Sequence, residues 1–91
     1  MPNQVEYYDA ATAITTSPLA AFTLGPGYNV LEVQNDTDLD ITVNFSRGGA
    51  GANMLIKAGT KKIQNFVCTG AVTLTSASSS TGNFFIQASV G

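Results

Sequence analysis

The sequence predicts an all-β fold: a single small antiparallel β-sandwich of jelly-roll or immunoglobulin-like type, or a barrel, with about seven to eight short strands. Three observations carry this prediction. Apolar and polar residues alternate with a period of two in several separate stretches, the period of a strand buried on one face. Turn-forming residues separate these stretches at intervals of roughly 8 to 12 residues. The stretches are also rich in Val, Ile and Thr, whose branched side chains fit a pleated surface better than a helix.

Taken in order, the elements begin with a less regular N-terminal arm, residues 1–27, ahead of a sandwich core at residues 28–91. Within the arm, Ala10-Ala11-Thr12-Ala13 could open a short helix, whereas Ile14-Thr15-Thr16 and Phe22-Thr23-Leu24 look extended. Pro18 forbids a continuous helix, and Gly25-Pro26-Gly27 makes a firm turn. Tyr28 to Gln34 reads as a strand with Tyr28 and Val30 on one side and Leu31 and Val33 on the other, which calls for a bulge or for cover on both faces. Asn35-Asp36-Thr37-Asp38 is expected to turn the chain into a hairpin with the next strand, because such short polar side chains bond their own backbone.

Leu39 to Phe45 alternates cleanly, with Leu39, Ile41, Val43 and Phe45 on one side. Ser46 to Asn53 is small and polar enough to read as an exposed loop. Gly59 is expected to close a second hairpin between Met54 to Lys57 and Lys61 to Val67. Ala71 to Thr75 is a further strand, Ser76 to Gly82 a further exposed loop, and Phe84, Ile86, Ala88 and Val90 mark the inner side of the last strand.

The chain has 91 residues, which supports one domain. A domain of this size buries only about 63 per cent of its unfolded surface, so a lone copy gains little over the entropy it loses. Charged residues make up 11% of the chain, the net charge is −2 and there is no His. An average soluble domain carries roughly 25 per cent charge. Four basic residues, Arg47, Lys57, Lys61 and Lys62, cannot build the field that binding many phosphates requires, so no nucleic acid is expected. The lysines around Gly59 are read as guards against edge-to-edge pairing. The single Cys68 cannot close an intramolecular disulfide and is expected to be a small buried hydrophobe. The N-terminus lacks the pattern of a signal peptide and no apolar run approaches ~18 residues, so a soluble product folding in the cytoplasm, without a membrane partner, is expected.

The same inventory argues against catalysis. Without His, no Ser-His, Cys-His or His-metal constellation can form, and one Cys cannot build a thiolate zinc site. Two carboxylates would suffice for a glycosidase, but three of the six acidic residues crowd into one turn. Asp36-Thr37-Asp38-Leu39-Asp40 opens like a calcium loop, yet Ile41 stands where such a loop needs Gly and Arg47 where it needs Glu. Gly48, Gly49 and Gly51 lack the Gly-Lys-Ser/Thr ending and the helix of a phosphate loop. No catalytic residue, metal or cofactor is therefore assigned.

What remains is a surface. Ser and Thr number 18 and Asn and Gln 11, together 29 of 91 residues. Hydroxyls and amides give up less hydration than ions when a partner covers them, and charged residues are depleted at interface cores. Much of this surface is expected to be buried against copies of the chain or against a larger scaffold. Tyr7, Tyr8, Phe22, Tyr28 and Phe85 are the candidate contact residues, since aromatic side chains are enriched at interfaces.

The run Tyr28 to Phe45, with Ile56-Lys57-Ala58-Gly59-Thr60 and Gly82-Asn83-Phe84-Phe85-Ile86, resembles small β-sandwich structural proteins of tailed bacteriophage virions, of the decoration or cement type. The resemblance spans residues 28 to 90. It implies a virion component on the capsid exterior, forming trimers on the major capsid protein, with host cytoplasm as the place of assembly. The segment before residue 28 would then be an arm reaching a neighbouring subunit. A head-tail, tail-ring or fibre component shares this interface chemistry, and a receptor- or carbohydrate-binding module shares the sandwich, although no Trp is available to line a sugar groove.

Overall fold

The alternation read in the sequence becomes eight strands whose inner residues meet in one core. The computed structural model describes residues 4–8, 12–24, 28–47, 50–65 and 70–89, and side chains at 12–24, 28–45, 51–63 and 70–89. The strands are β1 (Gln4–Tyr8), β2 (Leu19–Leu24), β3 (Val30–Thr37), β4 (Ile41–Arg47), β5 (Ala50–Ile56), β6 (Thr60–Asn65), β7 (Gly70–Ser76) and β8 (Gly82–Ser89). They form two four-stranded sheets, in the orders β1-β8-β3-β6 and β2-β7-β4-β5, with every pairing antiparallel. This interleaving of two Greek keys is the jelly roll.

The described side chains of β2, β3, β4, β5, β7 and β8 bury one side of each of these strands, whereas those described on β6 are exposed. Leu31 and Val33 of β3 and Phe84, Ile86 and Ala88 of β8 face Ile41 and Val43 of β4 and Val72 and Leu74 of β7 across the interior. Met54 and Ile56 of β5 and Phe22 and Leu24 of β2 complete the core from the sides. In β2 the register shifts between Ala20 and Phe22. This bulge lets both Ala21 and Phe22 point inward while Ala20 and Thr23 stay exposed, a phase change that strict alternation forbids.

The structure corrects several sequence expectations. The two expected hairpins are not hairpins. β3 and β4 belong to different sheets, as do β5 and β6, so the turns at 38–40 and 57–59 carry the chain across the sandwich. Asn35 and Thr37 lie within β3 and are buried, and the bend falls at Asp38 and Leu39. β4 and β5 are the sequential strands that do pair, with Arg47 opposite Ala50, so Ala50 to Asn53 is strand rather than loop. The pairing of β3 runs without a register shift, and Tyr28 packs on the core from before the strand. Residues 4–8 and 19–24, expected outside the sandwich core, pair with β8 and β7 of the same chain and supply the first strand of each sheet. Between them Ile14 is buried in the core. Of the helix considered at 10–13, Thr12 and Ala13 are not helical, and Ala10 and Ala11, like Cys68, fall outside the described residues.

The connections β1–β2, β3–β4, β5–β6 and β7–β8 gather at one end of the sandwich and are stitched together there by polar groups. Asn35 is fully buried. Its Nδ2 donates to Leu39 O and Ile56 O, both at 2.9 Å, and its Oδ1 accepts from Thr37 N at 3.0 Å. The Thr37 hydroxyl sits 2.6 Å from that same Oδ1 and 2.9 Å from Leu39 O. Gly59 N donates to Asn35 O at 2.7 Å. Ser80, expected in an exposed loop, is buried: its Oγ accepts from Ile14 N at 3.0 Å and its own N donates to Ile14 O at 2.9 Å.

Asn35→Ala would remove the partner of the buried Ile56 carbonyl and of the buried Thr37 amide, while Leu39 O keeps the Thr37 hydroxyl, and each lost partner costs about 1–3 kcal/mol. Urea denaturation should show a loss of about 3 kcal/mol or more. Gly82 has φ +109, and a Cβ placed there would lie 2.6 Å from the Asp36 carbonyl oxygen of the neighbouring strand. Gly59, at φ +78, has open space around it. Gly59→Ala should therefore cost about 1 kcal/mol and Gly82→Ala more than about 2 kcal/mol in the same measurement, because only the second adds a backbone clash to the strained φ.

Candidate functional site

With the core filled, chemistry must reside on the outer faces, the loop ends or the sheet margins. The loop end comes first because it holds the acidic residues. Asp38 Oδ1 accepts from Thr81 N at 2.7 Å, Asp40 Oδ1 accepts from Ala58 N at 3.0 Å, and Asp36 Oδ2 accepts from Gln34 Nε2 at 2.9 Å. The three carboxylates are thus committed to three separate local donors rather than converging on one point, and the described residues contain no metal-holding group of His, Cys, Asp or Glu. Asp40 ties the 38–40 bend to the 57–59 turn and Asp38 ties it to the β7–β8 connection, while Asp36 bonds within β3. Among the described residues no helix is long and apolar enough to cross a membrane.

The hydrogen bond from the Thr81 amide is the main cause that holds the Asp38 carboxyl below its ordinary value of 3.8, against the opposing effect of desolvation. A carboxylate whose folded-state pKa is depressed stabilises the fold above its unfolded pKa and loses that contribution as pH falls through the folded one. Wild type and Asp38→Asn should therefore differ in stability above about pH 4 and converge in more acidic solution. The carboxyl carbon of Asp38, followed by NMR, should titrate at lower pH than an unperturbed Asp.

The two outer faces differ in charge. On the β1-β8-β3-β6 sheet, Glu32 and Asp36 of β3 share the outside with Lys61 of β6, and Lys61 Nζ lies 3.3 Å from Glu32 Oε2. On the β2-β7-β4-β5 sheet, the outward positions are Thr42 and Asn44 of β4, Thr73 and Thr75 of β7, and Asn53 and Leu55 of β5 beside small residues of β2. No described side chain on that face is ionisable. Asn44 Nδ2 donates to Thr75 Oγ1 at 3.1 Å, so part of its polar surface is already paired within the face.

The candidate contact residues are dispersed. Phe22 is a core side chain, 8% exposed, which removes it from any surface. Tyr28 is half-buried against the core. Phe85 is half-buried on the outer side of β8, in register with Tyr7 of β1 and Gln34 of β3. Tyr7 and Tyr8 lie on β1, at the margin of its sheet, and their side chains are outside those described. Two apolar residues passed over in the sequence stand out instead: Leu55 on β5 is 52% exposed and Ile63 on β6 is 63% exposed. The signal for Leu55 was present in Met54-Leu55-Ile56, since a strand buried on one face must turn the middle of three consecutive apolar residues outward.

No protein-family model and no curated protein matches this chain. A solved structure from Bacillus endospore appendages, described as forming a novel family of disulfide-linked pili, superposes with a TM-score of 0.62 at 15% sequence identity, covering 99% of this chain and 88% of that one. At that identity the likeness is one of fold alone.

Proposed function

We propose that this chain is a non-enzymatic structural subunit, and that it serves as a decoration protein on the capsid exterior of a phage virion, docking on the major capsid protein. The observation that carries the reading is the outer face of the β2-β7-β4-β5 sheet, on which no described side chain is ionisable. Covering Thr and Asn costs less hydration free energy than covering ions, and charged residues are depleted at interface cores. The use of the same architecture in a pilus supports a structural role and favours a second reading, a subunit of an extended appendage.

The test is to add the purified chain to capsids of the phage that encodes it, remove unbound protein by sedimentation, and image the particles. The docking reading expects density at regular lattice positions with the β2-β7-β4-β5 face against the shell. Thr73→Lys places an ion on that face; the fold should survive, with a stability change within about 0.5 kcal/mol, and lattice binding should be lost. Particles that bind the variant as well as the wild type, or that bind neither, would overturn the docking reading. Filaments of the chain together with capsids that stay bare would favour the appendage.

A further inference from the structure

Among the described residues each sheet ends in two strands that have a sheet neighbour on one side only: β1 and β6 in one, β2 and β5 in the other. β1 adjoins β2 and β5 adjoins β6, so the four edges gather into two margins on opposite sides of the sandwich. Because both sheets hold four strands and every pairing is antiparallel, the two edges of each sheet run in opposite directions. A second copy shifted sideways would therefore bring its β1 antiparallel to β6 of the first copy and, in the same movement, its β2 antiparallel to β5. An odd number of strands in either sheet would have made one of these seams parallel.

We propose that the partner for these margins is a second copy of this chain, joined head to tail so that both sheets continue from one copy to the next. The edges are matched in length: β1 has 5 residues and β6 has 6, while β2 has 6 and β5 has 7. They are also matched in charge. β6 carries Lys61 and Lys62 and no acid, β1 carries Glu6 and no base, and neither β2 nor β5 has an ionisable residue. Lysines on an edge strand oppose pairing with a like edge. Here they disfavour β6 against β6 and leave the acidic edge as the compatible one, which gives the contact a direction. Lys61 is already paired with Glu32, so Lys62 is the cation offered to a neighbour. Leu55 and Ile63, the exposed large apolar side chains of the described residues, both stand on the β5–β6 margin, where an added strand would cover them. A contact between two different margins does not close on itself and leads to open-ended assembly.

This contact uses residues distinct from the ion-free face and is tested without capsids. In sedimentation velocity the full chain should form species of increasing size as concentration rises. Lys62→Glu and Glu6→Lys, each alone, should raise the apparent dissociation constant about tenfold, and an equal mixture of the two should recover assembly, since each variant then offers the edge the other needs. Should either variant fail to fold, amide exchange of the wild type supplies a second readout: slowing at Gln4–Tyr8 and Thr60–Asn65 together as concentration rises is expected. A monomer at all concentrations, a closed dimer or trimer, slowing at one margin without the other, or two variants that fail to recover each other overturns the head-to-tail contact. A monomer that still binds capsids overturns this contact alone and leaves the docking reading standing.

Discussion

Asn35 is the residue on which the two sheets depend for their closure. In a jelly roll built from 91 residues, the strand ladder stops at each crossing between sheets. Every carbonyl and amide released there needs a new partner. Asn35 offers two donors and an acceptor from one fixed amide, and spends them on Leu39 in the bend, Ile56 at the end of the opposite sheet and Thr37 in its own strand. A hydroxyl could satisfy one of these, and a carboxylate has no hydrogen to give the carbonyls. Ile14 and Ser80 repeat the solution at the next corner, where a buried apolar side chain anchors the loop and its backbone is closed by a serine.

The loop-end stitching explains where the charges went. With few ions in the chain, Asp38 and Asp40 are used to hold backbone amides at the crossings, and Glu32 and Lys61 form their pair on one outer face. The opposite face is left with Thr and Asn. Exposed ion pairs add little to stability, so emptying a face of ions costs the fold almost nothing, while it lowers the hydration that must be stripped before that face can be covered. The asymmetry between faces is thus cheap for folding and consequential for association.

The positions of the strands were legible in the sequence and their partners were not. Ile41 and Val43, or Phe84, Ile86 and Ala88, announce which residues turn inward, because the pleat has a strict period. The same period says nothing about which strand lies alongside. Asn-Asp-Thr-Asp and Ala-Gly-Thr look alike whether they close a hairpin or carry the chain to the other sheet, and the usual preference of neighbouring strands for each other pointed the wrong way at both. The hairpin that exists, β4 with β5, was hidden because Gly51 and Ala52 have too little side chain to display alternation. Asn35 was read as a turn former because its polarity is visible in the sequence, and two of its partners, Thr37 and Leu39, are local as in a turn, whereas the Ile56 carbonyl that completes its burial is brought to it only by the fold. Of the candidate surface, its neutrality was legible from composition; its confinement to one sheet required the pairing.

The bulge in β2 joins these themes. Leu19 to Leu24 must bury Ala21, Phe22 and Leu24, a pattern that no regular strand can satisfy, and the extra residue is tolerated because β2 is an edge strand with a ladder on one side only. A bulge also twists the edge that carries it, which makes β2 a poorer template for a further strand than β1, whose pairing with β8 runs without a shift. The two margins of the sandwich are therefore unequal within themselves: the seam that could hold a continuous ladder lies in the sheet that carries the charges, and the seam beside it is neutral and irregular. Direction and register would come from the first, and apolar cover around Leu55 from the second. That division follows from a single phase change in six residues, made to fill the core.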